Sequence, residues 1–195
     1  MLSQSPTWGD IMEPIKLNID GKAIEVNKRT TLLQAAKSNG IEIPTHCYDD
    51  SLRPYGACRM CMVEITKNSK KRLVASCLYE VEEGLVVKTR TSQIDKIRKM
   101  IIELTWPNMS EYAEEYGARK DRFQNENIDC ALCGKCTRFC EESGLADIVY
   151  FKGRGTERDV DLTPNTDYDY SIYKQCMALC SGGRLKNKLM NSWSE

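Results

Sequence analysis

Ten cysteines in 195 residues, set in two groups with none between Cys77 and Cys130, constrain this chain more than any other feature. Such a load serves either disulfides or metal, and the redox compartment decides which. Met1 to Pro14 has neither the basic start nor the apolar run of a secretory signal. No stretch is long and apolar enough to span a bilayer. The expectation is therefore a cytoplasmic protein without direct membrane insertion, whose thiols hold metal. The 28 basic and 28 acidic residues cancel, which gives no support for nucleic acid or anionic lipid as a partner. The cysteine-free gap marks two modules.

The periodicity around the first group is that of a small α+β domain. Ile15, Leu17 and Ile19 alternate with polar residues, Asp20-Gly21 is a strong hairpin turn, and Ile24 and Val26 alternate on the return strand. Thr30 or Thr31 can cap a helix reaching about Asn39, with Gly40 as its stop. Strands fit Met62–Thr66, Arg72–Ser76 and Leu85–Thr89. The result is a mixed sheet with one helix over residues 15–90, preceded by a polar arm, 1–14. Ser92 then opens a helix whose Ile94, Ile97, Ile101 and Leu104 form an apolar stripe, here assigned to packing. Trp106-Pro107 ends it, and Ser110–Tyr116 fits a short second helix stopped by Gly117. Residues 91–124 are thus a helical connector, 125–185 the second module, and 186–195 a polar, frayed tail from which Leu189, Met190 and Trp193 could dock on a partner.

In the first group, ten residues separate Cys47 from Cys58, two separate Cys58 from Cys61, and fifteen separate Cys61 from Cys77. Four thiolates suffice for a 2Fe–2S cluster, two on each iron. Pro54, Gly56 and Ala57 let the loop backbone come close, so that its N–H groups can point at the sulfurs. Zinc is the alternative, but zinc sites favour two short pairs and only Cys58 and Cys61 form one. The one histidine, His46, is read as a surface or outer-shell residue, because a Rieske-type site needs two.

Cys130, Cys133, Cys136 and Cys140 follow the run of two, two and three intervening residues found in bacterial ferredoxins. In two-cluster ferredoxins the fourth cysteine of each run ligates the other cluster, so a second run is expected. Shifting by forty positions gives Tyr170, Tyr173, Cys176 and Cys180. One 4Fe–4S cluster is then complete, with Cys130, Cys133, Cys136 and Cys180. The other site would hold Cys140, Cys176 and two tyrosines; phenolate is a hard, poor ligand, so that site is read as vacated. The Ser-Gly-Gly after Cys180, in place of the usual proline, reads as further relaxation of this half. A rival reading binds one cluster through Cys130, Cys133, Cys136 and Cys140.

PTHCYDDSLRPYGACRMCMVEI, followed by LVASC, resembles the N-terminal ferredoxin domain of the large iron–sulfur subunit of respiratory complex I. It also resembles the matching gamma or diaphorase-type subunit of NAD-linked nickel–iron hydrogenases and related electron-bifurcating complexes. The resemblance covers residues 15–104 and implies the β-grasp fold of plant-type ferredoxins. It also implies a further 4Fe–4S site with one histidine and three cysteines, but residues 105–129 contain neither residue type, so that site is absent here. The resemblance implies an electron-transfer subunit, not an enzyme on its own. Its partners would be an NADH-oxidising flavoprotein and a hydrogenase, formate dehydrogenase or similar catalytic subunit. The rivals are a free-standing soluble ferredoxin and a zinc-stabilised scaffold.

Overall fold

The computed structural model describes residues 14–123, 128–145, 148–163 and 170–192. The arm expected over 1–14 lies, Pro14 excepted, outside them. By contact the chain divides into two units. Residues up to 45 together with 59–98 form the first; 46–58 and everything from 99 onward form the second. The loop that carries Cys47 and Cys58 thus groups with the C-terminal part of the chain.

The first unit is built on a five-stranded mixed sheet in the order β2-β1-β5-β3-β4. Strand β1 (Pro14–Ile19) turns into β2 (Lys22–Asn27). Asp20 (φ 51°) and Gly21 (φ 86°) both take positive φ there, as the tightest hairpin turns require. The Asp20 carboxylate also accepts from Thr89 N, 2.9 Å, and from its hydroxyl, 2.5 Å, so the turn is tied to the far end of the domain. Helix α1 (Leu32–Ser38) begins at Thr31, which forms a capping box with Gln34, and it buries Leu32, Leu33, Ala35 and Ala36. Strands β3 (Met62–Lys67) and β4 (Lys70–Ala75) pair around Asn68-Ser69, and β5 (Val86–Lys88) lies parallel to β1 and antiparallel to β3. A mixed α+β architecture with a sheet-rich N-terminal part is what the periodicity anticipates.

Helix α2 (Ser92–Leu104) departs from the stripe expected for it. Ile94 and Ile102 are fully buried, Ile97 and Ile101 only partly, and Leu104 is exposed. Arg98 is buried instead, because its guanidinium donates to the carbonyls of Met60 and Met62, each at 3.0 Å. The buried face runs at four-residue steps through a cation that satisfies two strand-end acceptors.

In the second unit a 3₁₀ turn (Ser110–Tyr112) leads into α3 (Ala113–Tyr116), which Gly117 ends at φ 61°. Helix α4 (Lys135–Glu142) is followed by a two-stranded hairpin, β6 (Val149–Lys152) and β7 (Asp159–Leu162), that the sequence reading passes over. Helix α5 (Tyr170–Ala178) and helix α6 (Arg184–Ser192) complete it. The tail expected to fray over 186–195 is therefore helical as far as residue 192. Leu185 and Leu189 bury themselves in a core with Ile148, Val149, Val160 and Leu162, so Leu189 is held within this unit, while Met190 stays exposed. Arg184 and Lys188 fix that helix to Asp159 of β7, at 3.1 and 2.7 Å. Trp193 lies outside the described residues.

Candidate metal centres

The ligand loop of residues 46–58 starts with a buried histidine. His46 is 8% exposed, which rules out the surface alternative and leaves the outer-shell one. Among the described residues its Nε2 has no hydrogen-bond partner. Burial first, then the Lys135 ammonium, push its pKa below the usual value, so the ring is neutral. Next to it, the Cys47 N–H points at the Cys58 sulfur, 3.4 Å away. The Cys47 thiol is held near 5 by the side-chain hydrogen bond from Cys58, against burial, with further help from the backbone N–H groups of Cys58 and Ala57. Donors aimed at a sulfur favour its thiolate, the form that binds iron.

Cys61 and Cys77 belong to the first unit. Both are buried, and their sulfurs are 3.4 Å apart. Two thiolates on one tetrahedral ion at bond lengths of about 2.3 Å stand about 3.8 Å apart, so this pair suits a single iron. Ser76 holds the strand end in place: its N–H and hydroxyl donate to the Cys61 carbonyl at 3.1 and 2.8 Å.

The C-terminal cysteines separate into two sets. Cys130, Cys133, Cys136 and Cys180 line one partly open pocket, together with Asn108, Val160 and Gly182. Each thiol of the run faces a backbone donor close behind it: Leu132 N–H at 3.4 Å from the Cys130 sulfur, and those of Lys135 and Thr137 on Cys133 and Cys136. Burial is the first cause that raises the pKa of all three. For Cys136, pushed up to about 12, the charges of Cys133, Cys180 and Cys130 come next. Among the described residues no three cysteine, histidine or carboxylate side chains close on a single point as the ligands of one ion would. A cubane cluster with four thiolate ligands fits this donor set.

Cys180 reaches the cavity because of the turn behind it. The Arg184 N–H donates to the Asp129 carbonyl at 3.1 Å, and the Arg184 guanidinium pairs with the Asp129 carboxylate. At Gly182 a Cβ would collide with the Asp129 carbonyl and the Asn108 side chain, and Gly183 has φ 87°. The Ser-Gly-Gly expected to mark relaxation is thus a steric fit: a side chain at Gly182 would strike Asp129 and Asn108.

Cys140 and Cys176 form the other set. Both are fully buried, and their sulfurs are 3.0 Å apart. Sulfurs in direct contact do not have the spacing of ligands on separate irons of a cubane. Cys176 keeps its proton: the hydrogen bond it makes to Cys140 raises its pKa, and burial adds to that. Tyr173 is buried in the same cluster, its hydroxyl 3.5 Å from the Thr163 carbonyl. The side chain of Tyr170 lies outside the described residues.

Residues 12–92 match the family described as 2Fe-2S iron-sulfur cluster binding domain. Over most of its length the chain is similar to subunits of NADH- and NADPH-linked oxidoreductases. It is 28% identical over 207 residues to the mitochondrial NADH-ubiquinone oxidoreductase 78 kDa subunit of Neurospora crassa, covering 89% of this chain and 28% of that protein. It is 30% identical to a component of the NADH-quinone oxidoreductase of Rickettsia conorii, over 89% of this chain and 30% of the relative. To the alpha subunit of the NADPH-Fe(3+) oxidoreductase of Geobacter sulfurreducens it is 31% identical, over 89% and 24%. The chain thus spans less than a third of the length of these curated relatives. A chain in the structure of an NAD+-reducing [NiFe]-hydrogenase in the H2-reduced state shares the fold, with a TM-score of 0.66 and 22% identity over 76% of this chain and 75% of that one.

Two features of these sites escape sequence reasoning: the burial of His46, and the role of Arg138 in fixing the Cys47 loop. Arginine is among the residues least often buried, and nothing local marks Arg138 as an exception.

Proposed function

We propose that this chain is an electron-transfer subunit that holds a 2Fe–2S cluster through Cys47, Cys58, Cys61 and Cys77 and a 4Fe–4S cluster through Cys130, Cys133, Cys136 and Cys180. The observation that carries the reading is the set of four cysteines, one of them 44 positions beyond its nearest fellow, that line a single pocket with backbone donors at three of their sulfurs. When bound, the clusters supply reversible one-electron storage. The chain's own part is to fix the thiolates, aim N–H groups at them and keep the second pair, Cys140 and Cys176, out of ligation. Cys47 raises the pKa of Cys133, so the first ligand loop lies within Coulomb range of the second ligand run. That proximity favours a relay through both centres rather than two isolated stores.

The similarity to subunits of NADH-linked complexes supports an NADH-oxidising flavoprotein as the electron donor. A hydrogenase, formate dehydrogenase or similar enzyme is the acceptor side of this proposal, and the cytoplasm its location. Among the described residues no helix is long and apolar enough to cross a membrane. The test is purification of the chain from its native host under anaerobic conditions. A flavoprotein should accompany it, and NADH should bleach both clusters only when that partner is present. Recovery of the chain alone, reduced by a soluble redox protein and not through a flavoprotein, would favour the free ferredoxin instead.

A further inference from the structure

We propose that Arg138 is a positioning residue for the 2Fe–2S centre, whose buried charge holds the Cys47 loop and raises the centre's reduction potential. The inference rests on the 2Fe–2S reading of Cys47 given above. Arg138 lies on α4 between Cys136 and Cys140 and is 7% exposed. Its Nη2 donates to the Cys47 carbonyl at 2.5 Å, its Nη1 to the Arg53 carbonyl, and its Nε to the Gly134 carbonyl at 3.2 Å. The guanidinium also lies over the Tyr55 ring, 5.5 Å from its centroid. One turn further along α4, Glu142 accepts from the Arg53 N–H at 3.1 Å. Helix α4 therefore grips both the start and the middle of the loop.

The charge has a second consequence. Three carbonyls and a ring solvate the guanidinium, and among the described residues no carboxylate stands within ion-pair distance of it. Asp49 feels its field only as a long-range contribution. A buried cation without a counter-ion is costly, so an anion belongs nearby. Cys47, whose carbonyl the guanidinium holds at 2.5 Å, carries the sulfur that can supply it. A cluster held by that thiolate gains a negative charge on reduction. A fixed positive charge beside it stabilises the reduced state more than the oxidised one. Lysine could keep the charge but not the planar fork that reaches two carbonyls of different residues.

The experiment is an EPR-monitored redox titration of the cluster-loaded full chain, comparing the unaltered protein with Arg138→Gln and Arg138→Lys. Arg138→Gln should shift the 2Fe–2S equilibrium about tenfold toward the oxidised form, a potential about 59 mV lower for one electron. Arg138→Lys should shift it less than half as far. An unmoved 2Fe–2S potential in Arg138→Gln, or a shift in Arg138→Lys as large as in the glutamine variant, overturns the inference while leaving the cluster reading intact. If Arg138→Gln does not load, Arg138→Lys decides alone: a shift under threefold supports the charge role, and a full tenfold shift contradicts it. Absence of any 2Fe–2S signal from the unaltered protein would remove the cluster reading and this inference together.

Discussion

Cys136 and Cys140 lie one turn apart on α4, yet their sulfurs stand in opposite surroundings. Cys136 opens onto a pocket shared with three other thiols. Cys140 meets Cys176 directly, in a core filled by Tyr173, Ile148 and Leu185. The first set shares a pocket, beside a turn whose Gly182 leaves no space for a side chain. In the second set, Cys140 and Cys176 lie in the core as small, buried side chains. On the proposed reading only the first set holds a cluster.

That contrast can be broken from either side. The largest effect is expected at the cavity. Cys180→Ala should abolish the 4Fe–4S spectrum or convert it to a three-iron form, with loss of local stability, because metal binding and folding are coupled in such modules. EPR and visible absorption of the anaerobically prepared variant measure it; an intact four-iron signal would mean that Cys140 supplies the fourth thiolate after all. A much smaller effect is expected at the closed half. Cys140→Ala should keep the four-iron spectrum and cost about 1 kcal/mol in denaturant unfolding, from the small cavity it leaves. Loss of the cluster in that variant would reverse the assignment of the two halves.

Part of this was legible in the sequence. Asp20-Gly21, the Thr31 and Gln34 box and the alternation of β1 and β2 each act over a few residues, so local chemistry announces them. The spacing of the cysteine run, with its ghost at Tyr170 and Tyr173, separated the two sets of C-terminal thiols. What stayed hidden depends on partners far along the chain. Arg98 and Arg138 are buried because carbonyls 36 to 91 positions away need donors. Gly182 has meaning only once Asp129 stands against it. Helix α6 is polar overall, and among the described residues its apolar docking rests on Leu185 and Leu189, four residues apart, beside the ion pairs of Arg184 and Lys188; so short a stripe in a charged segment reads as a frayed end. The β6–β7 hairpin is four residues long on each side, too short for its alternation to stand out.

The central claim is that the chain holds one 2Fe–2S and one 4Fe–4S cluster and no more. Iron and acid-labile sulfide analysis of the anaerobically purified full chain tests it most directly. The account predicts about six irons and about six sulfides per chain, two plus four. About ten of each would mean that a second cubane occupies the half that Cys140 and Cys176 close, and would contradict it.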